Sequence, residues 1–190
     1  LWLHRMDTQV FGLSLPAEES SLFAAAGLET TIDTTHADIR DRTLVDRELD
    51  RISPQIIFHL AAQPIVRLSY DDPVATYATN VMGTVHVLAA AARTPSVRTV
   101  VVVTSDKCYE NRESERAYRE DDPLGGHDPY SSSKACAELV TTAWRRSFSG
   151  PGTEAKIGIA SVRAGNVIGG GDWAADRLVP DSIRALAAGQ

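Results

Sequence analysis

Tyr130-Ser131-Ser132-Ser133-Lys134 places a phenol and an amine four residues apart. On a helix that spacing puts both side chains on one face. An ammonium held beside a phenol favours the phenolate and draws the tyrosine pKa from about 10 toward neutrality. A phenol tuned that way takes a proton from a sugar or alcohol hydroxyl while a nicotinamide takes the hydride. Ser105-Asp106-Lys107 sets a hydroxyl, a carboxylate and an amine in a row. In isolation such a row also reads as a loop-start cap with solvated charges. Two of the chain's three lysines, Lys107 and Lys134, fall in these clusters, while arginine supplies the other positive charges.

These residues need elements to position them. Residues 99–105 are a near-continuous β-branched run, the pattern of a central parallel strand covered on both faces. Pro129 suits the first turn of a helix that carries Tyr130 and Lys134 to about residue 147. Further strands are expected at 9–15, 30–32, 55–60 and 156–163. Further helices are expected at about 22–26, 41–52, 73–93 and 180–188, with a turn at 149–152. Strands alternating with helices make an α/β chain with a doubly wound parallel sheet, which binds ligands beyond the carboxyl ends of its strands.

Other candidates fall at those ends. Asp38-Ile39 offers a carboxylate and an apolar side chain to flank an adenine, or simply a helix N-terminal acid. Leu60, Ala61 and Ala62 end a buried strand with little bulk, which lets a flat cofactor approach the backbone, although such a pair also serves plain packing. Asn80 sits mid-helix, where asparagine is disfavoured, so it faces solvent or holds a buried backbone group or water. Arg177 suits a diphosphate, since its fork matches phosphate oxygens; otherwise it is a loop arginine. The strand end at Ser14-Leu15 has neither an acid for ribose hydroxyls nor an arginine for a 2′-phosphate, which favours NAD over NADP.

Composition sets outer limits. The 190 residues are 43% hydrophobic and 23% charged, ordinary for a globular chain. A net charge of −6 without a basic block argues against nucleic-acid or anionic-membrane partners. No apolar run approaches the roughly 18 residues of a membrane span. Cys108 and Cys136 have neither metal-ligand spacing nor a disulfide framework, so no metal is expected and the thiols read as reduced, in a cytoplasmic protein.

The ordered segments resemble the extended short-chain dehydrogenase/reductase family of NAD-dependent sugar-nucleotide epimerases and dehydratases. The matching pieces are His59-Leu60-Ala61-Ala62-Gln63-Pro64, Asn80-Val81-Met82-Gly83-Thr84, Tyr130 to Lys134 and Arg163 to Gly169. The stretches 104–111, 126–130 and 164–173 resemble the branch of its 4,6-dehydratases that acts on CDP-glucose. That branch is distinguished by Asp106-Lys107, where the dTDP-glucose branch has Asp-Glu.

The resemblance implies a Rossmann-like fold, truncated at both ends. Residues 1–163 would be a partial NAD-binding domain without its first strand and glycine loop, and 164–190 the start of a sugar-nucleotide-binding region. It implies NAD held by Asp38, Ile39, Leu60, Ala61, Ala62, Tyr130 and Lys134. Catalysis would fall to Ser105, Asp106, Lys107, Tyr130 and Lys134, with Asp106 as the acid at C6. Gln63, Asn166, Arg177 and Leu178 would contact the sugar nucleotide. It also implies a homodimer built on the helices from Pro73 and Tyr130, with Val87, Ala91, Ala137 and Val140 in its core or interface. Little turnover is expected from residues 1–190 alone.

Overall fold

The computed structural model describes residues 2–113, 115–149 and 157–190. The chain divides into two compact units: residues up to Ala37 together with Asn166–Gln190, and Asp38–Gly165.

In the first unit, α1 (Trp2–Arg5) precedes β1 (Phe11–Ser14), followed by α2 (Leu22–Ala25) and β2 (Asp33–His36). β1 and β2 pair in parallel, from Phe11 opposite Asp33 to Ser14 opposite His36. The second strand begins three residues later than the β-branched pattern at 30–32 suggests. Gly27, in the left-handed region at φ 62°, opens a 3-10 turn at Leu28–Thr30. The hydroxyls of Thr30 and Thr31 both donate to its carbonyl, at 3.0 and 3.1 Å. Those threonines are therefore held in the turn. Helix α8 (Leu178–Ala187) closes the unit.

The second unit holds α3 (Arg42–Ile52), β3 (Ile56–His59), α4 (Val66–Asp71), α5 (Pro73–Tyr77), α6 (Gly83–Arg93), β4 (Thr99–Val103), α7 (Pro129–Phe148) and β5 (Gly158–Val162). Strand β4 lies between β3 and β5, all parallel. The expected helix at 73–93 is interrupted by a π-turn, Ala78–Met82, between α5 and α6. The sequence reading missed α4, which Asp72 separates from α5 by ending one helix and capping the next, accepting from the N–H of Ala75 at 2.9 Å. Of the turn expected at 149–152, residues 150–152 lie outside the described residues, as does Lys156 of the last strand.

The steps β3 to β4 and β4 to β5 run the same way across the sheet. Right-handed crossovers then put α6 and α7 on the same face, where they pack on the strands and on each other. Val100, Val102 and Ile159 are buried beneath them with His59. The opposite face is open in part: Ile56 is 55% exposed and Phe58 47%. The pattern of β4 thus predicts two covered faces, and the unit covers one fully. A β-branched run reports strand propensity and apolarity, and leaves open what lies on each side.

Candidate active site

The carboxyl end of β4 gathers the residues with chemistry. Thr104 continues the pairing, its N–H donating to the Val162 carbonyl at 2.9 Å. Ser105 is buried and caps a 3-10 turn, Asp106–Cys108. Its hydroxyl donates to Asp106 Oδ1 and accepts from the N–H of Lys107, both at 3.2 Å. The N–H of Asp106 bonds the Ala164 carbonyl at 3.0 Å. A side chain on Gly165 would place its Cβ 3.4 Å from Asp106 Oδ2. Asp106 and Lys107 are exposed beside the buried Ser105.

Helix α7 brings the phenol and amine. Asp128 caps it, accepting from the Ser131 N–H at 2.9 Å and the Ser131 hydroxyl at 2.6 Å. The N–H of Tyr130 donates to the Ser69 hydroxyl of α4 at 3.1 Å, so the helix that sequence did not reveal satisfies one of the orphan donors of α7. Gly126 passes so close that a Cβ there would lie 2.4 Å from the N of Ser132, which demands glycine. Tyr130 and Lys134 are both buried. Lys134 Nζ approaches the Val103 carbonyl at 3.5 Å, and burial lowers its pKa from the ordinary lysine range. The helix also packs on the turn that carries Asp106 and Lys107. Sequence positions 103–107 and 130–134 therefore meet at one strand end.

Around the end of β3, Leu60 is 66% exposed and Ala61 and Ala62 are half-buried. Gln63 is held through its backbone by Asn80, whose Oδ1 accepts the Gln63 N–H at 2.8 Å and whose amide donates to the Gln63 carbonyl at 3.1 Å. The same amide reaches the Ser133 hydroxyl on α7 at 2.9 Å. Asn80 thus holds a buried backbone segment, one of the two roles its position suggested. The Gln63 side chain turns into the fold, donating to Thr76 at 2.9 Å and accepting from the Ile65 N–H. Ile39 is buried against α6, where a Cβ on Gly83 would come within 2.4 Å of it. Asp38 pairs with Arg40 at 2.8 and 2.6 Å, and that bond holds its carboxyl below the usual range.

His59 lies under the site, its Nε2 3.0 Å from the Thr84 hydroxyl. Burial, aided by the charge of Lys134, pushes its pKa down to about 4, so the ring is neutral at pH 7. Asn166, Arg177 and Leu178 belong to the first unit. Asn166 and Leu178 are exposed there, and Arg177 lies 3.7 Å from Asp172. Among the described residues, no group of three His, Cys, Asp or Glu could hold a metal ion. No helix among them is long and apolar enough to cross a membrane. Of the dimer candidates, Val87, Ala91 and Ala137 are core residues and Val140 is half-buried; Val74 and Leu139, which were not among them, are exposed on α5 and α7.

Comparison with known proteins agrees with the fold. Residues 17–189 match the family model for GDP-mannose 4,6 dehydratase. The chain is 51% identical over 189 residues to CDP-glucose 4,6-dehydratase of Salmonella typhimurium, covering 98% of this chain and 53% of that protein. It is 38% identical over 112 residues to UDP-glucose 4-epimerase of Mycolicibacterium smegmatis, covering 59% of this chain and 35% of that one. The chain therefore spans about half the length of the Salmonella protein and less of the epimerase. Among solved structures, dTDP-glucose 4,6-dehydratase DesIV of Streptomyces venezuelae, in a double-mutant form with NAD bound, superposes with a TM-score of 0.79 at 28% identity. That match covers 95% of this chain and 53% of that one. These matches carry the resemblance read from the motifs: the chain has a Rossmann-type fold and belongs to the GDP-mannose 4,6 dehydratase family.

Proposed function

We propose that the whole protein is an NAD-dependent hydro-lyase that converts CDP-glucose to CDP-4-keto-6-deoxyglucose. The observation that carries this reading is the 51% identity, along 98% of the chain, to an enzyme named for that reaction. The cluster at the carboxyl end of β4 supports it, because the reaction needs a base at one sugar hydroxyl, on C4, and an acid for a leaving hydroxyl two carbons away, on C6.

The open end of β3 fits a flat cofactor: Ala61 and Ala62 present little bulk, and Leu60 is exposed beside them. Those residues would hold NAD with Tyr130 and Lys134, and Asp38 and Ile39 would lie toward its adenine. NAD, when bound, supplies a hydride acceptor for oxidation at C4 and a hydride donor for reduction at C6. Tyr130 takes the C4 hydroxyl proton, with Lys134 stabilising the phenolate and the Ser105 hydroxyl holding the sugar oxygen. The resulting ketone acidifies C5–H. A base removes that proton, Asp106 protonates the C6 hydroxyl, and water leaves. A proton returns to C5 as C6 is reduced. Lys107 is the candidate base at C5. Gln63, Asn166, Arg177 and Leu178 would contact the sugar nucleotide, with Arg177 meeting the diphosphate. The exposed apolar side chains of α5 and α7 would form a homodimer contact.

Product analysis tests the reading. The whole protein, incubated with CDP-glucose and NAD, should yield a 4-ketone lighter by one water. A CDP-sugar of unchanged mass, inverted at C4, would replace the dehydratase with an epimerase.

A further inference from the structure

One charged group on the helix of Tyr130 and Lys134 has no part in the chemistry above. Glu138 lies four residues beyond Lys134 and eight beyond Tyr130, on the same face of α7. It is 1% exposed. Its carboxylate accepts from the Thr104 hydroxyl, from the Ser161 hydroxyl at 2.8 Å and from the Arg163 guanidinium at 3.0 Å. Burial alone would raise its pKa, but these bonds outweigh it and hold the carboxyl below the usual range.

Each partner leads to a different part of the unit. Thr104 immediately precedes Ser105. Ser161 belongs to β5. The Arg163 guanidinium lies 4.7 Å over the Tyr109 ring and donates to the Glu120 carbonyl at 3.1 Å. Tyr109 in turn stacks on Tyr118, with centroids 4.7 Å apart and rings within 8° of parallel.

We propose that the Glu138–Arg163 pair is a positioning device, which fixes the Ser105–Lys107 segment against the Tyr130–Lys134 face and moors the 109–120 loop to the same anchor. Neither residue touches the reacting atoms. The catalytic half of this inference rests on the dehydratase reading; the mooring of the loop does not. A buried ion pair gives little net stability compared with an apolar replacement. What this one provides is direction: the ends of β4 and β5, and through Arg163 the 109–120 loop, are tied to one carboxylate on α7. A misplacement of about 1 Å in a reacting group can cost on the order of 100-fold in rate.

Glu138→Gln keeps the size of the side chain and its capacity to accept a bond, but removes the charge that holds Arg163. In the whole protein, kcat with CDP-glucose should fall roughly 10–100-fold while KM stays within about threefold. Amide hydrogen exchange across 109–120 should rise at least about tenfold, with α3 unchanged. Arg163→Lys, the milder change, keeps the charge but loses the stacking on Tyr109 and the bond to Glu120. It should loosen the loop with a smaller fall in kcat. Wild-type kcat together with wild-type loop exchange in Glu138→Gln would overturn the proposal. So would exchange that rises equally in α3 and the loop in both variants, since the pair would then be merely structural. If the wild-type protein does not dehydrate CDP-glucose, the function reading fails by itself, and loop exchange still decides the mooring.

Discussion

Lys134 Nζ reaches toward the carbonyl of Val103 at 3.5 Å, two residues before Ser105. The contact ties the middle of one turn of α7 to the last residue of β4, and it is made by a buried amine whose pKa is lowered by that burial. Tyr130→Phe should therefore suppress C4 oxidation by about 10²–10⁴-fold, the usual worth of a positioned proton acceptor. Lys134→Met should produce a similar loss. Reduction of NAD, followed at its absorbance band after mixing with CDP-glucose, checks both; an unimpaired rate in Tyr130→Phe would remove it from the site.

Asp106 and Lys107 separate the later steps. Asp106→Asn should leave hydride removal at C4 in place but slow water loss by about 10²–10⁴-fold. Lys107→Met should abolish exchange of C5–H with solvent deuterium while C4 oxidation persists. Exchange at the wild-type rate would mean that Lys107 is an electrostatic support and that the C5 base lies elsewhere.

Asn80→Ala removes three hydrogen bonds and strands the N–H and carbonyl of Gln63, while the Ser133 hydroxyl keeps its bond to the Tyr130 carbonyl at 2.7 Å. Each stranded buried group costs on the order of 1–3 kcal/mol unless water replaces the partner. A drop in thermal midpoint of at least several degrees is expected. An unchanged midpoint would show that this network adds nothing to stability.

His59 gives the fold a pH dependence. Its folded pKa of about 4 lies below the ordinary 6.5. The unfolded chain therefore binds a proton that the folded one refuses. Stability from this group is complete above pH 6.5 and falls as pH drops toward 4, by roughly 3 kcal/mol at most. Urea midpoints between pH 7 and 4 should fall for the wild type and fall less for His59→Gln.

Local pattern was enough for much of this protein. The Tyr130–Lys134 spacing, the β-branched run of β4 and the proline at the start of α7 are short-range features, and they pointed to the fold and to the cluster at its strand end. Asn80 was conspicuous because asparagine is out of place inside a helix, yet only the fold supplied its partners, Gln63 and Ser133, 17 and 53 residues away. Glu138 could be seen to share a face with Lys134, but that it is buried, and held by Thr104, Ser161 and Arg163, depends on three segments meeting. The inward turn of the Gln63 side chain, the burial of Ile39 against Gly83 and the open sheet face at Ile56 and Phe58 were decided the same way. Propensity and periodicity act over one or two turns of chain. Burial and the pairing of polar groups are set by contacts between residues far apart in sequence, and so belong to the tertiary structure alone.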